Sequence, residues 1–229
     1  MLLALDTATR NSGLALFDGR SIVAEHNWYS ADGQTTELMP RLTQIMAWHA
    51  LTPADLSGVA VSLGPGSFTG LRIALSVAKG MALAHSLPLV GIATLDAIAF
   101  PHLGHRQPVV AVIQAGRARV CWASYQNQPA GSGDEQVSVG SWQGWRGSNQ
   151  LSDLDALAQH VSDEAWLVGE ITPEQRRTLE NLADFRGHLA SPAVAARRAA
   201  CLAEIGWLRL QAGQVDHAAS LAPIYSSHP

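Results

Sequence analysis

The sequence contains very little lysine and few charged residues of either sign. Among its 229 residues 15% are charged, and the 15 basic residues include the single lysine Lys79, against 19 acidic residues and a net charge of −4. The arginines are scattered along the chain, so no basic patch of the kind that binds nucleic acid tightly is visible. If the protein works on RNA, we expect another protein to hold that RNA.

Cysteines and long apolar runs are also scarce. Cys121 and Cys201 are the two cysteines, and they lack the CxxC spacing of a zinc site. We expect both to be free thiols in a reducing compartment, packed as small apolar side chains. The apolar start of the chain meets Asp6 before it reaches the length of a signal peptide, and no apolar run approaches the ~18 residues of a membrane span. The sequence therefore predicts a cytoplasmic protein without a membrane partner.

The histidines do not form a pattern that is typical of a metal site. His102 and His105 are the closely spaced pair among the nine histidines, and no third ligand lies nearby in the sequence. Protein zinc sites use three or four ligands, so this HxxH pattern alone is weak evidence. A Ser, a His and an Asp cannot be assigned to a catalytic triad either. The sequence predicts no bound metal and no catalytic residue.

The order of predicted elements repeats once along the chain. Apolar runs and helical spacing predict, in the first half, strands and helices in the order strand 2–5, strand 14–17, strand 21–28, helix 35–49, strand 58–62 and a helix to about 85. The second half repeats this order with strands at 109–113, 120–125 and 136–140, a helix at 152–161, a strand at 165–168 and a helix from 172. A duplicated α/β fold follows from this repeat, although the halves share no visible sequence identity.

The repeat places the subdomain boundary in the loop at 101–107, which is rich in proline, glycine and histidine. Residues 1–104 then form a first subdomain and 105–191 a second, more divergent one. We expect the long helix and tail at 192–229 to pack back on the first subdomain. The segment 131–150, rich in glycine, serine and tryptophan, is interpreted as an exposed connection.

A glycine-rich loop, GPGSFTG at 64–70, precedes the second helix of the first subdomain. It lacks the Gly-Lys-Ser/Thr ending of a Walker loop, because Leu71 and Arg72 follow its last glycine. Its glycine spacing does not match GxGxxG, and no GxSxG nucleophile elbow is present. Two interpretations stay open: a tight turn from strand to helix, or backbone amides at a helix start that meet an anion.

The two helices of the first subdomain are unusually apolar. Between Leu71 and Ala84 only a narrow stripe of Arg72, Ser76 and Lys79 is polar, whereas a surface helix normally has one apolar stripe of little more than 100°. The helix at 36–49 is apolar over about half its circumference. Either both helices are buried against neighbours in their own domain, or a partner covers them. We favour a docking face, with ten expected partner-binding residues: Leu38, Met39, Leu42, Ile45, Met46, Leu71, Ala74, Leu75, Ala78 and Ala82.

Four stretches closely resemble the TsaB family, also called YeaZ, of tRNA threonylcarbamoyladenosine biosynthesis. They are LALDTAT at 3–9, QTTELMPRL at 34–42, GPGSFTGLRIALSVAKGMA at 64–82 and GIATLDAIA at 91–99. The resemblance is dense over residues 1–100 and most specific at GPGSFTGLR. Beyond that it consists mainly of the strand pattern and the terminal Pro223-Ile224-Tyr225.

The resemblance implies a fold and a role. The fold is actin-like or RNase H-like (ASKHA), with two similar subdomains that each have a mixed sheet flanked by helices. The role is that of a non-catalytic partner of a TsaD-like catalytic subunit, joined by a TsaE-like ATPase, which reaches tRNA only through that complex. The two apolar helices would dock to TsaD, and in its absence the same face would form a homodimer.

The resemblance also places a vestigial nucleotide cleft in the first subdomain, at Asp6, Thr7, Thr9, Gly64, Gly66, Ser67 and Thr69. Gln34 stands where relatives often have a histidine, and the histidine pair HxxxH of a TsaD-type metal site is absent. In the second subdomain Gln114, Gly116 and Arg119 depart from the acidic pattern of relatives, so one of the two acids that organise metal and water is missing. We therefore expect no catalysis and no cofactor of its own, with ATP and Mg²⁺ only at the interface of the complex. The alternative is an actin-like ATPase or kinase, or an M22-type peptidase, with its own active site.

Overall fold

The computed structural model describes residues 1–31, 33–116, 118–129, 131 and 133–225. They form two compact units. The first comprises Met1–Thr94 with Arg198–Tyr225, and the second comprises Leu95–Arg197. The boundary between the two units follows residue 94, whereas the sequence placed it after residue 104. The residues just after 94 belong with the second unit, where Asp96 accepts a hydrogen bond from Tyr125 at 2.7 Å. At the other boundary, the chain rejoins the first unit at Arg198 and not at residue 192.

The first unit contains a mixed sheet in the order β3-β2-β1-β4-β5. The strand β1 pairs antiparallel with β2 and parallel with β4, while β2–β3 is antiparallel and β4–β5 is parallel. The strand bounds are β1 Leu2–Asp6, β2 Asn11–Phe17, β3 Ile22–Tyr29, β4 Gly58–Gly64 and β5 Leu89–Ala93. Buried apolar residues throughout β1 and β4 are typical of strands that are covered on both faces.

Helices cover both faces of this sheet. Leu3 and Leu5 pack with the core that includes residues of α1 (Gln34–Trp48) and α2 (Phe68–His85). On the opposite face α7 (Ala199–Gln211) packs closely, and a Cβ on its Gly206 would lie 2.5 Å from the Cβ of Ala60. Successive residues of a strand point to opposite faces, so the alternation along β1 builds both layers. A single turn of 3₁₀ helix at Pro53–Asp55 precedes β4.

The second unit repeats this topology with additional strands. Its sheet has the order β12-β11-β6-β7-β9-β8, with β10 paired to β7. The strand bounds are β6 Val109–Ala115, β7 Arg119–Gln126, β8 Glu135–Val139, β9 Trp142–Arg146, β10 Gln150–Ser152, β11 Trp166–Gly169 and β12 His188–Leu189. Like β1, β6 pairs antiparallel with the strand after it and parallel with a later strand, β11. The helices are α3 Thr94–Ala99, which spans the boundary, α4 Leu154–His160, α5 Pro173–Asn181 and α6 Pro192–Ala195, with a 3₁₀ turn at Phe100–His102.

The predicted duplication of an α/β unit is confirmed, and the fold is the actin-like, RNase H-like one. The interpretation of 131–150 as an exposed connection is wrong, because β8, β9 and the start of β10 lie there. The tryptophans explain this difference, since Trp142 packs edge-on against Tyr125 with the ring centroids 6.3 Å apart. Within the described residues, none of the helices combines the length and apolar character that a bilayer crossing requires.

Candidate functional site

The glycine-rich loop is a tight turn from β4 into α2. Gly64 has a φ of +114°, which favours glycine because it has no Cβ. Ser67 is the N-cap of α2, and its side chain accepts a hydrogen bond from the amide of Gly70 at 3.2 Å. Its carbonyl accepts from the amide of Leu71 at 2.9 Å. The loop thus ends in a satisfied helix start, as a Ser N-cap normally provides.

The same loop is packed against the connection between β1 and β2. The amide of Ser67 donates to the carbonyl of Ala8 at 2.6 Å, and the hydroxyl of Thr7 donates to the carbonyl of Gly70 at 2.6 Å. A Cβ on Gly66 or on Gly70 would lie closer than 3.0 Å to the carbonyl oxygens of Ala8 and Thr7, respectively. The missing side chains therefore allow two backbone segments to touch. In this arrangement the space between them does not fit a phosphate group.

Asp6 is held by its own chain at the end of β1. It is 2% exposed, and its Oδ1 accepts hydrogen bonds from the Ser62 hydroxyl at 2.8 Å and from the Ala8 amide at 3.0 Å. The bond to the amide two residues ahead is an Asx turn, a frequent role for Asp in loops. Asp6 thus joins β1, β4 and the connection, and this geometry matches a turn-capping residue better than a ligand of metal or water.

Gln34 attaches the start of α1 to the same connection. Its Nε2 donates to the carbonyl of Thr7 at 3.2 Å and also to the carbonyl of Thr9. Its Oε1 would lie 2.8 Å from a Cβ on Gly70, so α1 and α2 begin next to each other. The predicted cleft residues are therefore brought together, but most of them are used in internal packing. Ser67 and Thr69 are the exposed members of that set.

The inner faces of α1 and α2 form part of the core of the first unit, which revises the expected docking residues. Met39, at 48% exposure, is the one member of the expected set that is exposed. The other nine are at most 7% exposed: Leu38, Leu42, Ile45, Met46, Leu71, Ala74, Leu75, Ala78 and Ala82. They repeat with helical spacing on the side that meets the sheet, so the structure assigns them to internal packing and not to direct contact with a partner.

The outer face of α2 consists of Thr69, Arg72, Ser76, Gly80 and Leu83. These positions are exposed and follow one another at spacings of three and four residues, so they form one stripe along the helix. Leu83 is 72% exposed. Lys79 is half-buried and lies beside this stripe. The sequence had already marked Arg72, Ser76 and Lys79 as the polar stripe of this helix.

Large apolar side chains remain exposed on both helices. Besides Leu83, they are Met39 at 48%, Trp48 at 68% and Phe68 at 54%. Of these, only Met39 belonged to the expected docking set. Trp48 lies within the helix at 36–49 that the sequence marked as apolar over about half its circumference. Phe68 and Leu83 gave no distinct signal, because apolar residues surround α2 on nearly every side.

The C-terminal segment reaches the start of α2. Its Ile224 amide donates to the carbonyl of Leu63 at 2.7 Å. Tyr225 then stacks on Phe68, with ring centroids 5.3 Å apart, and its hydroxyl accepts from Nε of Arg72 at 3.1 Å. The Arg72 guanidinium lies over the Phe68 ring, 3.7 Å from its centroid. Sequence reasoning missed this cluster, although it had noted the Pro-Ile-Tyr ending. Residues 226–229 lie outside the described residues.

In the second unit, two glutamine side chains pair at the position where the sequence predicted that an acidic residue is missing. Nε2 of Gln114, at the end of β6, donates to the carbonyl of Glu170 at 3.0 Å, and its Oε1 accepts from Nε2 of Gln175 at 3.1 Å. Gly116 has a φ of +81° in the turn that follows, and Arg119 is exposed at the start of β7. Arg117 lies outside the described residues.

The structure also locates the cysteines and the histidine pair. Cys121 is buried and Cys201 half-buried, both are free thiols, and burial raises the pKa of each to about 11. Burial, together with the nearby His105, lowers the pKa of His102. Among the described residues, no group of three or more His, Cys, Asp or Glu side chains could hold a metal ion.

These features define a class: an actin-like protein of two similar subdomains, whose glycine loop is closed by its own backbone and whose first two helices have an exposed outer face. The family model for TsaD, tRNA N6-adenosine threonylcarbamoyltransferase, matches residues 30–208. The tRNA threonylcarbamoyladenosine biosynthesis protein TsaB of Haemophilus influenzae is 31% identical over 173 residues, which cover 73% of this chain and 71% of that protein. The chain therefore belongs to the TsaB (YeaZ) family, which shares the domain that the TsaD model describes.

Other matches agree with this assignment. TsaB of Escherichia coli K12 is 32% identical over 142 residues, covering 60% of this chain and 61% of that protein. TsaB of Bacillus subtilis is 29% identical over 125 residues, covering 55% of each chain. In these two matches the chain spans less than two thirds of the relative's length. The solved structure of YeaZ from Pseudomonas aeruginosa superimposes with a TM-score of 0.76 at 23% identity, over 98% of both chains, and supports the fold.

Proposed function

We propose that this protein is a partner subunit in the biosynthesis of threonylcarbamoyladenosine in tRNA, and that it acts by docking to a TsaD-like catalytic subunit. The observation that carries the proposal is the exposure of large apolar side chains on both helices, since Met39 and Trp48 of α1 and Phe68 and Leu83 of α2 are all about half exposed or more. Single exposed apolar residues are common, but several on two adjacent helices are typical of an interaction surface. The pathway in this proposal, threonylcarbamoyladenosine biosynthesis, is taken from membership of the TsaB family.

The docking surface is proposed to be the outer face of α2 with the exposed side of α1. The buried inner faces hold these two helices on the sheet, so the outer faces are presented on a rigid support. An interface of standard size covers about 800 Å² on each partner, which two helices of this length can provide. Exposed aromatic and large aliphatic residues near the centre of such an interface commonly carry most of its binding free energy.

A non-catalytic role is also part of the proposal. The carboxylate of Asp6 is engaged by Ser62 and by the amide of Ala8, and the corresponding position of the second unit is Gln114, which bonds to Gln175. A pair of carboxylates for metal and water is therefore not supported by the described residues. We propose that the chain has no cofactor of its own, that ATP and Mg²⁺ act only where it meets its partners, and that tRNA is reached through the complex. A TsaE-like ATPase would join that complex.

Mixing the purified chain with the TsaD homologue from the same cell tests the proposal. We expect a stable heterodimer in size-exclusion chromatography with light scattering, and tRNA modification that depends on both proteins. Leu83→Glu should weaken the complex at least tenfold, because a charge is placed against an apolar surface of the partner. The matched control is Val23→Glu on the edge strand β3, also at an exposed apolar position. Full modification activity without this chain, or no complex with TsaD, would refute the proposal.

A further inference from the structure

The helix α1 is held on the edge strand β3 by two pairs of side chains. Nε1 of Trp28 donates to Oε2 of Glu37 at 2.6 Å, and Nη1 of Arg41 lies 2.9 Å from Nε2 of His26. His26 and Trp28 are two residues apart and share one face of the strand, while Glu37 and Arg41 are four residues apart and share one side of the helix. All four residues are half-buried, and together they form what we call the α1–β3 clamp.

The contact between Arg41 and His26 requires a neutral histidine. A guanidinium group has only donors and stays protonated, so Nη1 of Arg41 donates and Nε2 of His26 accepts. The proton of the neutral imidazole then lies on Nδ1. A second proton, on Nε2, would remove the acceptor and bring two cations to within hydrogen-bond distance. Protonation of His26 and the hydrogen bond from Arg41 therefore exclude each other.

Trp28 links the two halves of the clamp. The Arg41 guanidinium lies over its ring, 4.7 Å from the ring centroid, and the His26 ring meets it edge-on with the centroids 5.4 Å apart. Trp28 also packs against the apolar core that includes the inner residues of α1. Displacement of Arg41 therefore removes a cation–π contact together with the hydrogen bond, so one proton on His26 disturbs more than one contact between helix and strand.

The described groups that face His26 do not compensate an added proton. The residue opposite His26 on β2 is the uncharged Leu14. The acidic residue of α1 is Glu37, whose Oε2 already accepts from the indole of the clamp. Glu25, next in sequence to His26, points to the other face of the sheet, where it accepts from an amide of α7. Burial and the nearby Arg41 accordingly lower the pKa of His26.

We propose that the α1–β3 clamp is a pH-sensitive switch, in which acidification protonates His26, displaces Arg41 and loosens α1 on the edge strand. At neutral pH the clamp is closed and α1 is fixed on the sheet. The helix also carries the exposed Met39 and Trp48, so opening of the clamp makes the surface around them sensitive to pH. This last consequence for partner binding rests on the proposed function, whereas the switch itself is a property of the isolated chain.

Hydrogen exchange of the isolated chain between about pH 7.5 and pH 5, corrected for intrinsic exchange rates, tests the switch. The stabilisation by neutral His26 is complete above pH 6.5 and is lost as the pH falls through the lowered pKa. We therefore expect opening of α1 to increase severalfold below this pH, and by no more than about tenfold per pH unit because one proton is taken up. Amides of α7, on the opposite face of the sheet, should keep their protection. Equal protection of α1 at both ends of the range would overturn the inference.

Two matched variants assign the response to one histidine. His26→Gln keeps an acceptor for Arg41 but does not titrate, so its α1 should stay protected over the whole pH range. His49→Gln changes an exposed histidine at the C-terminal end of the same helix, and it should retain the full response of the wild type. A response that persists in His26→Gln, or that disappears in His49→Gln, would show that the clamp is not the switch.

The role of Arg41 is tested by the titration of His26 itself, followed by the nuclear magnetic resonance signals of its imidazole ring. In Arg41→Gln the neighbouring cation is removed, and the amide that replaces it can accept a hydrogen bond as well as donate one. We expect His26 to titrate at a higher pH in Arg41→Gln than in the wild type. Titration at the same pH in both proteins would show that Arg41 does not hold His26 in its neutral form and would overturn the inference.

Discussion

Replacing Gly70 by alanine should destabilise the first unit, although alanine is the better helix former. Gly70 lies in the first turn of α2, and its backbone is not in the left-handed region. A Cβ there would lie closer than 3.0 Å to the Thr7 carbonyl oxygen, 3.2 Å from its carbon and 2.8 Å from Oε1 of Gln34. A backbone carbonyl cannot turn away as a flexible side chain can, so the helix start must move away from the β1–β2 connection.

The expected magnitude follows from two opposing effects. Alanine gains about 0.5–1 kcal/mol over glycine inside a helix, while overpacking of a closely packed site costs about 1–3 kcal/mol. The move also stretches the 2.6 Å hydrogen bond from Thr7 to Gly70, whose loss costs about another 1 kcal/mol. The net loss is therefore about 1–3 kcal/mol. For a chain of this size it lowers the melting temperature by roughly 2–12 °C.

Gly80→Ala in the same helix is the matched control. A Cβ at Gly80 meets no atom within 4 Å, so only the gain in helix propensity remains. We expect its melting temperature, followed by far-ultraviolet circular dichroism, to rise by roughly 1–4 °C. If Gly70→Ala were as stable as Gly80→Ala, the close contact between the glycine loop and the β1–β2 connection would not exist in solution.

Three further predictions concern the helices, an ion pair and the thiols. Ala74→Arg should unfold the first unit, because it places an unpaired cation at a fully buried position. Ser76→Tyr, on the outer face, should leave the melting temperature unchanged and weaken the heterodimer. The reverse pattern would contradict the assignment of the inner and outer faces. Burial opposes ionisation of Glu25, but hydrogen bonds from Arg198 and the Ala200 amide outweigh it and hold the pKa of Glu25 below 4.5. This stabilisation is present above pH 4.5 and is lost as the pH falls through the lowered pKa. In Glu25→Gln, the free energy of unfolding measured by urea titration should therefore fall less steeply as the pH is lowered. A pH dependence identical to that of the wild type would contradict the role of Glu25. With thiol pKa values of about 11, Cys121 and Cys201 should react with a disulfide reagent at about pH 8 far more slowly than in urea, and equal rates would show that the thiols are accessible.

The strands and their repeated order could be predicted from the sequence because short apolar runs and turn residues are local signals. The polar stripe of Arg72, Ser76 and Lys79 does mark the outer side of α2, but it is too narrow to show where the outer face ends. The inner residues, such as Leu71 and Ala78, and the outer Leu83 are all apolar, so the sequence does not separate them. The sequence showed that this helix has more apolar surface than a single stripe needs, but not which residues form the excess.

Long-range contacts account for the other differences. Tyr225 meets Arg72 across 153 positions of sequence, and no local pattern links the two. The need for glycine at positions 66 and 70 could not be predicted either, because Gly66 and Gly70 face the carbonyls of Ala8 and Thr7, which are distant in sequence. Asp6 had been assigned, from the family resemblance, to a vestigial nucleotide cleft, whereas in the structure its carboxylate accepts from the amide of Ala8 in an Asx turn.

The closed loop and the proposed docking surface are connected through the β1–β2 connection. Thr7 holds α2 through the Gly70 carbonyl and accepts a hydrogen bond from Gln34 at the start of α1. A phosphate group between loop and connection would have to break the bond from Ser67 to Ala8, which lies beside these contacts. These contacts set where both helices begin. The closed loop therefore fixes the spacing between α1 and α2, and a fixed spacing is what the docking surface proposed for these helices requires.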